Sequence, residues 1–460
     1  MRNHKFDVAV IGAGIAGIAT CHALLQAGAG SVALIESAAP LSLTSDKSTE
    51  CYRNFWPDHS DASMANLVNH SIGRLEEFSQ TTDNRFQMHQ RGYLFATESQ
   101  QQIESLRARA QLNERYGGGP LRVHNSFTSV QNNYVQSPLV GIDQSLDGAD
   151  LITDQQAIRH HFPWLTKDAA GILHVRRCGV LSAQQLGMTL LDEARNDGAQ
   201  LITADFVGVK TSRGELSAIE LMTADGAIEL ATDALVLASG PHLKATASLA
   251  GSDLPVIVEK HVKITIPDSR AVIPRDAPLI IWNDPTDLCW TNEERDILAA
   301  SAETRYLTET FPAGVHGRPV GAGNTIFIYW TYDNEVMETP EFPVVADHSY
   351  PEILLRGMAR MVPGLCNYFD PMPQPYVDGG YYTKVADNRP LIGPLDVPGA
   401  FVCGAFSGYG IMASYAGAEL VASHVLGRKL PDYAAAFAAT RFNDAEYMAK
   451  LSGVSGSGQI

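Results

Sequence analysis

The chain has 460 residues, which at about 150 residues per domain suggests about three domains, or one large α/β domain with a second lobe. Hydrophobic residues make up 45% and charged residues 18%, which excludes wholesale disorder. Lys plus Arg is 34 against 51 Asp plus Glu, a formal charge of −17; this excludes the basic face of a nucleic-acid protein and argues against an anionic membrane surface.

Phe6 to Ile11 is a short β-branched run that predicts a buried parallel strand. Gly12-Ala-Gly14-Ile15-Ala16-Gly17 follows and fits GxGxxG. Gly12 permits a tight turn, Gly14 lets a pyrophosphate approach the backbone, and Gly17 lets the next helix lie close to the strand. That helix carries Ile18, Cys21, Leu24 and Leu25 at helical spacing and stops near Gly28. A second strand, Val32 to Ile35, ends in Glu36, an acid that can accept hydrogen bonds from ribose hydroxyls, with Ser37 beside it. Strand, glycines, helix, strand and acid in register predict a dinucleotide-binding unit without separating FAD from NAD. Val8 to Ile35 contains no Asp, Glu, Lys or Arg, yet these pieces and the recurring glycines exclude reading it as a membrane span.

The Ser- and Thr-rich stretch Leu41 to Arg53 predicts a loop close to the dinucleotide, with Ser45, Ser48 and Thr49 offering hydroxyls. Arg53, next to Phe55 and Trp56, suits the wall of a pocket for a carboxylate or a planar group. A strand is expected at Met88–Phe95 and helices at Gln101–Tyr116 and Leu181–Gly198. Ala199 to Val209 reads as a strand, and Asp225-Gly226 as the turn of a hairpin. The run Asp233-Ala-Leu-Val-Leu-Ala-Ser239-Gly240-Pro241 is a hydrophobic strand entering a small-residue turn that a bound dinucleotide could approach, so a nucleotide domain would be discontinuous. Val256–Ile266, Leu279–Trp282 and Thr325–Tyr332 read as strands of a separate sheet, with a helix over Asn292–Leu307. A strand from Ala400 to Cys403 then runs into Gly404-Ala-Phe-Ser407-Gly408-Tyr409-Gly410-Ile411-Met412 and a helix over Ala413–Leu426, whose N-terminus can face negative charge. The tail around Gly453 to Gln459 has a linker's composition. The six cysteines form no CxxC pair, so neither a disulfide scaffold nor a metal site is expected, and a reducing, cytoplasmic compartment is.

Four landmarks occur in order: GAGIAG with Glu36, the STECYR loop, ALVLASGP, and DNRPLIGP followed by CGAFSGYGIM. Together they resemble the D-amino-acid oxidase superfamily of FAD enzymes, near its glycine oxidase and sarcosine oxidase branch. The resemblance implies an α/β fold: a Rossmann-like FAD-binding domain over 1–90, 151–250 and 376–430, an α+β substrate domain on a mostly antiparallel sheet over 91–150 and 251–375, and a C-terminal tail over 431–460. It implies FAD lying extended, with Val207 holding the adenine through its backbone. Ser239 and Gly240 would lie near the pyrophosphate and ribose, and Ser407 to Met412 beside the isoalloxazine.

The implied chemistry is hydride transfer to the flavin from a carbon next to an amine nitrogen, with hydrolysis of the imine. Electrons would pass on to oxygen, a quinone or a protein. Arg53 and Arg389 are the candidate carboxylate anchors, although Arg389 could instead brace a domain junction. His261 and Lys263 share one strand face and are catalytic candidates, a cation there being able to favour electron transfer to oxygen; an exposed polar face is the alternative. Trp330, Tyr332 and Tyr382 would line an aromatic pocket or belong to the core. The sequence does not decide between covalent and non-covalent flavin, and Cys403, before the flavin loop, reads as a packing residue. Two alternatives stay open. One is oxidation of a 2-hydroxy acid with His261 or His316 as base; the other is a flavin-binding assembly factor without turnover.

Overall fold

The computed structural model describes residues 5–451. Two sheets carry the fold. The core of the first is parallel, in the order Ala400–Gly404, Gly226–Leu237, Phe6–Ile11, Val32–Glu36 and Gln200–Thr203. Gly226–Leu237 serves two purposes. Its first half pairs antiparallel with Glu215–Thr223, and its second half lies between Phe6–Ile11 and Ala400–Gly404. Side chains alternate across these strands, so Val8, Val10, Leu34 and Val236 pack on one face. Ala9, Ile11, Ile35 and Leu237 pack on the other. The helices Ile15–Gln26 and Gly410–Val425 cover the first face.

Gly17 is what lets Ile15–Gln26 lie so close. A Cβ there would stand 1.8 Å from the Gly12 carbonyl oxygen. Gly12 has a φ of +100°, and a Cβ on it would meet the Ala238 carbonyl oxygen at 2.7 Å.

The second sheet has ten strands and is mostly antiparallel, its parallel pairs being Leu279–Trp282 with Tyr93–Thr97 and Leu121–His124 with Ala149–Ile152. Its strand Ile257–Pro267 pairs with Thr325–Tyr329, Glu335–Met337 and Tyr376–Lys384. One face packs under the helix Tyr350–Met361, the other under Gln100–Arg115 and the Cys51–Phe55 segment.

Three expected domain boundaries and one helix end need correction. Leu151, Ile152 and Gly171–Val175, expected in the nucleotide half, belong to this second sheet together with Ala149 and Asp150. Gly171–Val175 bonds on one side to Tyr93–Thr97 and on the other to Ala149–Ile152. Tyr376–Lys384 joins it too, paired with Ile257–Pro267 from end to end. Residues 431–451, expected as tail, hold two 3-10 turns and the helix Ala445–Leu451. Phe437 is fully buried there, and Arg441 and Tyr447 both bond the Asp387 carboxylate, which needs partners because it is buried. Gly453 to Gln459 lie outside the described residues. The helix expected over Asn292–Leu307 ends at Ala300, and a 3-10 turn, Arg305–Thr308, follows.

Two stability effects follow. Gly17→Ala should destabilise the fold by about 1–3 kcal/mol through overpacking against rigid backbone, read as a lower urea midpoint. His174 is buried between Tyr134 and the Arg91 carbonyl, and burial, aided by the Arg176 charge, pushes its pKa down to about 3. Its folded value lies below the unfolded one, so its contribution is complete above about pH 6.5 and falls away as pH drops, by about 2 kcal/mol at pH 5. Urea titrations at pH 7 and pH 5 should show that loss, and His174→Gln should flatten it.

Candidate active site

A cavity of 410 Å3 opens where the parallel strands end and runs towards the second sheet. At one end Ala204, Asp205, Phe206, Glu36 and Ser37 line it; Gly12, Gly14, Ile15, Ala16, Ser239 and Gly240 line the middle; and Ser407, Gly408, Gly410, Ile411, His261, Lys263, Tyr329 and Tyr382 line the far end. Gly17 is not in the wall and acts in packing.

The Glu36 carboxylate is fixed by the backbone, accepting from the Ala13 N–H at 2.7 Å and the Ala38 N–H at 3.0 Å. Gly14 gives the helix Ile15–Gln26 no side-chain cap, and Ser45 supplies one from the neighbouring loop by accepting from the Ile15 N–H at 3.0 Å. Ser48 and Thr49 also line the cavity. Lys263 holds this loop by donating to the Lys47 and Ser48 carbonyls at 2.5 and 2.9 Å. Burial pulls the Lys263 ammonium below its ordinary pKa, against the raising effect of Asp378.

The cavity fits the expected dinucleotide. Side chains are missing where backbone must come close, an anchored carboxylate stands at the end of the second strand, and the N-terminus of Gly410–Val425 opens onto the far end.

Beside the far end lies a second cavity of 60 Å3. Arg53, Cys51, Tyr93, Leu279, His316 and Met412 help to line it, and Tyr329 and Tyr382 border both cavities. Tyr409 and Met412 face this smaller space rather than the larger one, and the Tyr409 hydroxyl donates to the Asn388 carbonyl at 2.5 Å. Arg53 lies over Trp56 at 4.7 Å and donates through Nε to the Phe55 carbonyl at 3.3 Å. Among the described residues no carboxylate pairs with it, and burial lowers its pKa. Arg109, stacked on Phe55 at 5.4 Å, is a second such cation, pulled down to about 10 by burial and then by the Arg53 charge.

Four expected positions are corrected. Val207 sits at an irregularity in the Asp205–Ser212 strand, 41% exposed and outside the cavity wall, while Phe206 on the opposite face lines it. Trp330 is buried in the core beneath Tyr350–Met361 and donates to the Pro312 carbonyl at 3.1 Å. Tyr332 stacks on Tyr350 there, with centroids 5.5 Å apart. Arg389 pairs with Asp61 at 2.9 Å and Asp58 at 2.8 Å, which raises its pKa and makes it a brace.

The residue missed between these was Tyr329. It sits opposite Lys263 in the register, so the two share a face, whereas Trp330 and Tyr332 start from the other parity. The signal was in the pairing of Thr325–Tyr329 with Ile257–Pro267, which the sequence does not print. Glu259, two residues before His261 and therefore on its face, was legible but unused.

Glu36→Gln removes the charge from the anchored carboxylate. Flavin retention should weaken about tenfold, measured by fluorescence of FAD released on dilution.

Among the described residues no helix is long and apolar enough to cross a membrane, and no group of three or more His, Cys, Asp or Glu is placed to hold a metal ion. A search of curated proteins finds no match. Among solved structures, L-proline dehydrogenase from P. horikoshii superposes with a TM-score of 0.72 at 19% identity, covering 96% of this chain and 98% of that one. Glycine oxidase from Geobacillus kaustophilus gives 0.68 at 18%, over 95% and 99% of the two chains. Iminodiacetate oxidase from Chelativorans sp. BNC1 gives 0.66 at 15%, over 94% and 98%. At these identities the likeness shows the fold. Residues 7–424 match the model of the family described as FAD dependent oxidoreductase, DAO, and the chain therefore belongs to that family of FAD-dependent oxidoreductases.

Proposed function

We propose that the protein oxidises the carbon–nitrogen bond of a small amine or amino acid that carries a carboxylate. The observation that supports this most is Arg53. A guanidinium without a carboxylate partner, in the wall of a small cavity bordering the larger one, favours an anionic occupant. Arg109 nearby adds to the positive field. The 60 Å3 of the smaller cavity limits that occupant to a handful of non-hydrogen atoms beyond those in the larger one.

FAD supplies the two-electron acceptor for such a substrate. The chain's own residues would orient it: Arg53 takes the carboxylate, and Tyr329 and Tyr382 wall the amine end. Lys263, tied to the loop carbonyls, stands in the wall of the larger cavity as a cation able to assist delivery of electrons to oxygen. The names of the similar structures, proline dehydrogenase, glycine oxidase and iminodiacetate oxidase, belong to the same substrate class.

The test is anaerobic addition of D- and L-amino acids, N-methyl amino acids, 2-hydroxy acids and amines without a carboxylate, followed by the visible flavin absorption. Bleaching by carboxylated amines and release of ammonia or a smaller amine is the expected result. Bleaching by 2-hydroxy acids alone would replace the reading, and no bleaching by any of them would end it. Arg53→Met should raise the concentration needed for half-maximal reduction about 10- to 100-fold for carboxylated amines, and leave decarboxylated ones unaffected.

A further inference from the structure

We propose that Tyr329, His261 and Glu259 form a proton relay that removes the proton an ammonium substrate must lose before its C–H bond is broken; this rests on the amine-oxidation reading above.

The three groups are joined end to end. The Tyr329 hydroxyl and His261 Nδ1 are 2.6 Å apart, and His261 Nε2 and Glu259 Oε2 are 3.3 Å apart. Lys384 bonds both Glu259 oxygens, at 3.1 and 2.9 Å. With the phenol donating to Nδ1, the neutral imidazole carries its own proton on Nε2, directed at Glu259. The Tyr382 ring stacks on His261 with centroids 3.7 Å apart and holds the imidazole in plane. Tyr329 borders both cavities, so the inner end of the chain faces the substrate space. The outer end is less enclosed: the Glu259 and Lys384 side chains are 11% and 16% exposed, and a proton can leave there.

Charge decides which group can be the acceptor. The groups facing His261 are Glu259 on its own strand, Tyr329 with His316 behind it, and Tyr382 and Lys384 on the strand alongside. Burial lowers the His261 pKa, Glu259 raises it, and Lys384 lowers it, so the ring rests neutral with a carboxylate waiting to stabilise its charged form. His316 lacks that support. Its Nδ1 is held by the Gly314 carbonyl at 2.8 Å, and burial with the Arg53 charge pushes it down to about 4. Lys263 donates to two carbonyls and is placed as a cation.

The step balances within these groups. The substrate N–H bond breaks and its proton passes to the Tyr329 oxygen as the phenol proton passes to His261 Nδ1. The substrate becomes a neutral amine, Tyr329 is unchanged, and the imidazolium is held by Glu259. No electrons move in this step.

Two measurements on the holoprotein test it. In the first, the anaerobic rate of flavin reduction by the best substrate is followed against pH. In Tyr329→Phe the rate at pH 7 should fall about 10²-fold, and its rise should move to higher pH, towards the free amine's own ionisation. In Glu259→Gln the rise should move to lower pH with a lower plateau, because the imidazolium has lost its carboxylate. Variants that scale the rate equally at every pH would show packing roles only and overturn the relay. The second needs no turnover: ¹⁵N signals of labelled histidine, assigned with His261→Gln. An Nε2–H tautomer whose titration falls to lower pH in Glu259→Gln supports the relay. An Nδ1–H tautomer, or a titration indifferent to Glu259, overturns it. A flavin that no amine reduces, over an imidazole that titrates as described, would sink the amine-oxidation reading and leave the relay to be judged on the imidazole alone.

Discussion

Backbone approaches backbone at Gly12 and Gly17 without any Cβ between, and the rest of the molecule is arranged around that contact. Gly17 sets the helix Ile15–Gln26 against the Gly12 carbonyl, and Gly12 sets the first strand's exit against Ala238 and Ser239. Two strand ends and a helix N-terminus therefore meet at one point in the cavity wall. Parallel strands are buried on both faces, so side chains cannot make such a cradle; only missing side chains can. Glu36 and Ser45 then complete it, one from the second strand and one from the loop that follows.

The second sheet walls the far end of a cavity that the first sheet shapes. Ile257–Pro267 places Glu259, His261 and Lys263 on one face by simple alternation, and its partners bring Tyr329 and Tyr382 to the same face. Lys263 links the two halves, because its ammonium is held by the carbonyls of the loop that also caps the nucleotide helix. Thr44, bonded to the Tyr381 backbone, Lys47, paired with Asp378, and Arg318, donating to the Thr49 carbonyl, join the same loop to the second sheet.

The net charge of −17 says little about the local field. Most buried charges here are matched: Arg389 by Asp58 and Asp61, Arg441 by Asp387, Arg177 by Glu76, and Asp150 by Arg122 and Arg176. Arg53 and Arg109 depart from that pattern beside the small cavity. Surface carboxylates are screened within about 10 Å at ordinary ionic strength, so they do not cancel a cation enclosed by aromatic rings.

The sequence by itself determined the glycine turns and strand ends of the nucleotide half, though not its boundaries. GAGIAG, Glu36, ALVLASGP and the GAFSGYGIM turn are local signals, each complete within a strand and the turn after it, so they are legible without knowing their neighbours. It also placed His261 and Lys263 on one face, since alternation needs only the strand. Tertiary structure alone decided what lay across from them. Tyr329 rather than Trp330 or Tyr332 faces the site because interstrand register selects the face, and a shift of one residue reverses it. Phe206 rather than Val207 lines the cavity because the pairing of this strand with Glu215–Thr223 turns its Phe206 face inward. Arg389 became a brace and Arg53 a candidate anchor because two aspartates from a distant loop reach one and not the other. Those are contacts between segments far apart in the chain, and no local pattern encodes them.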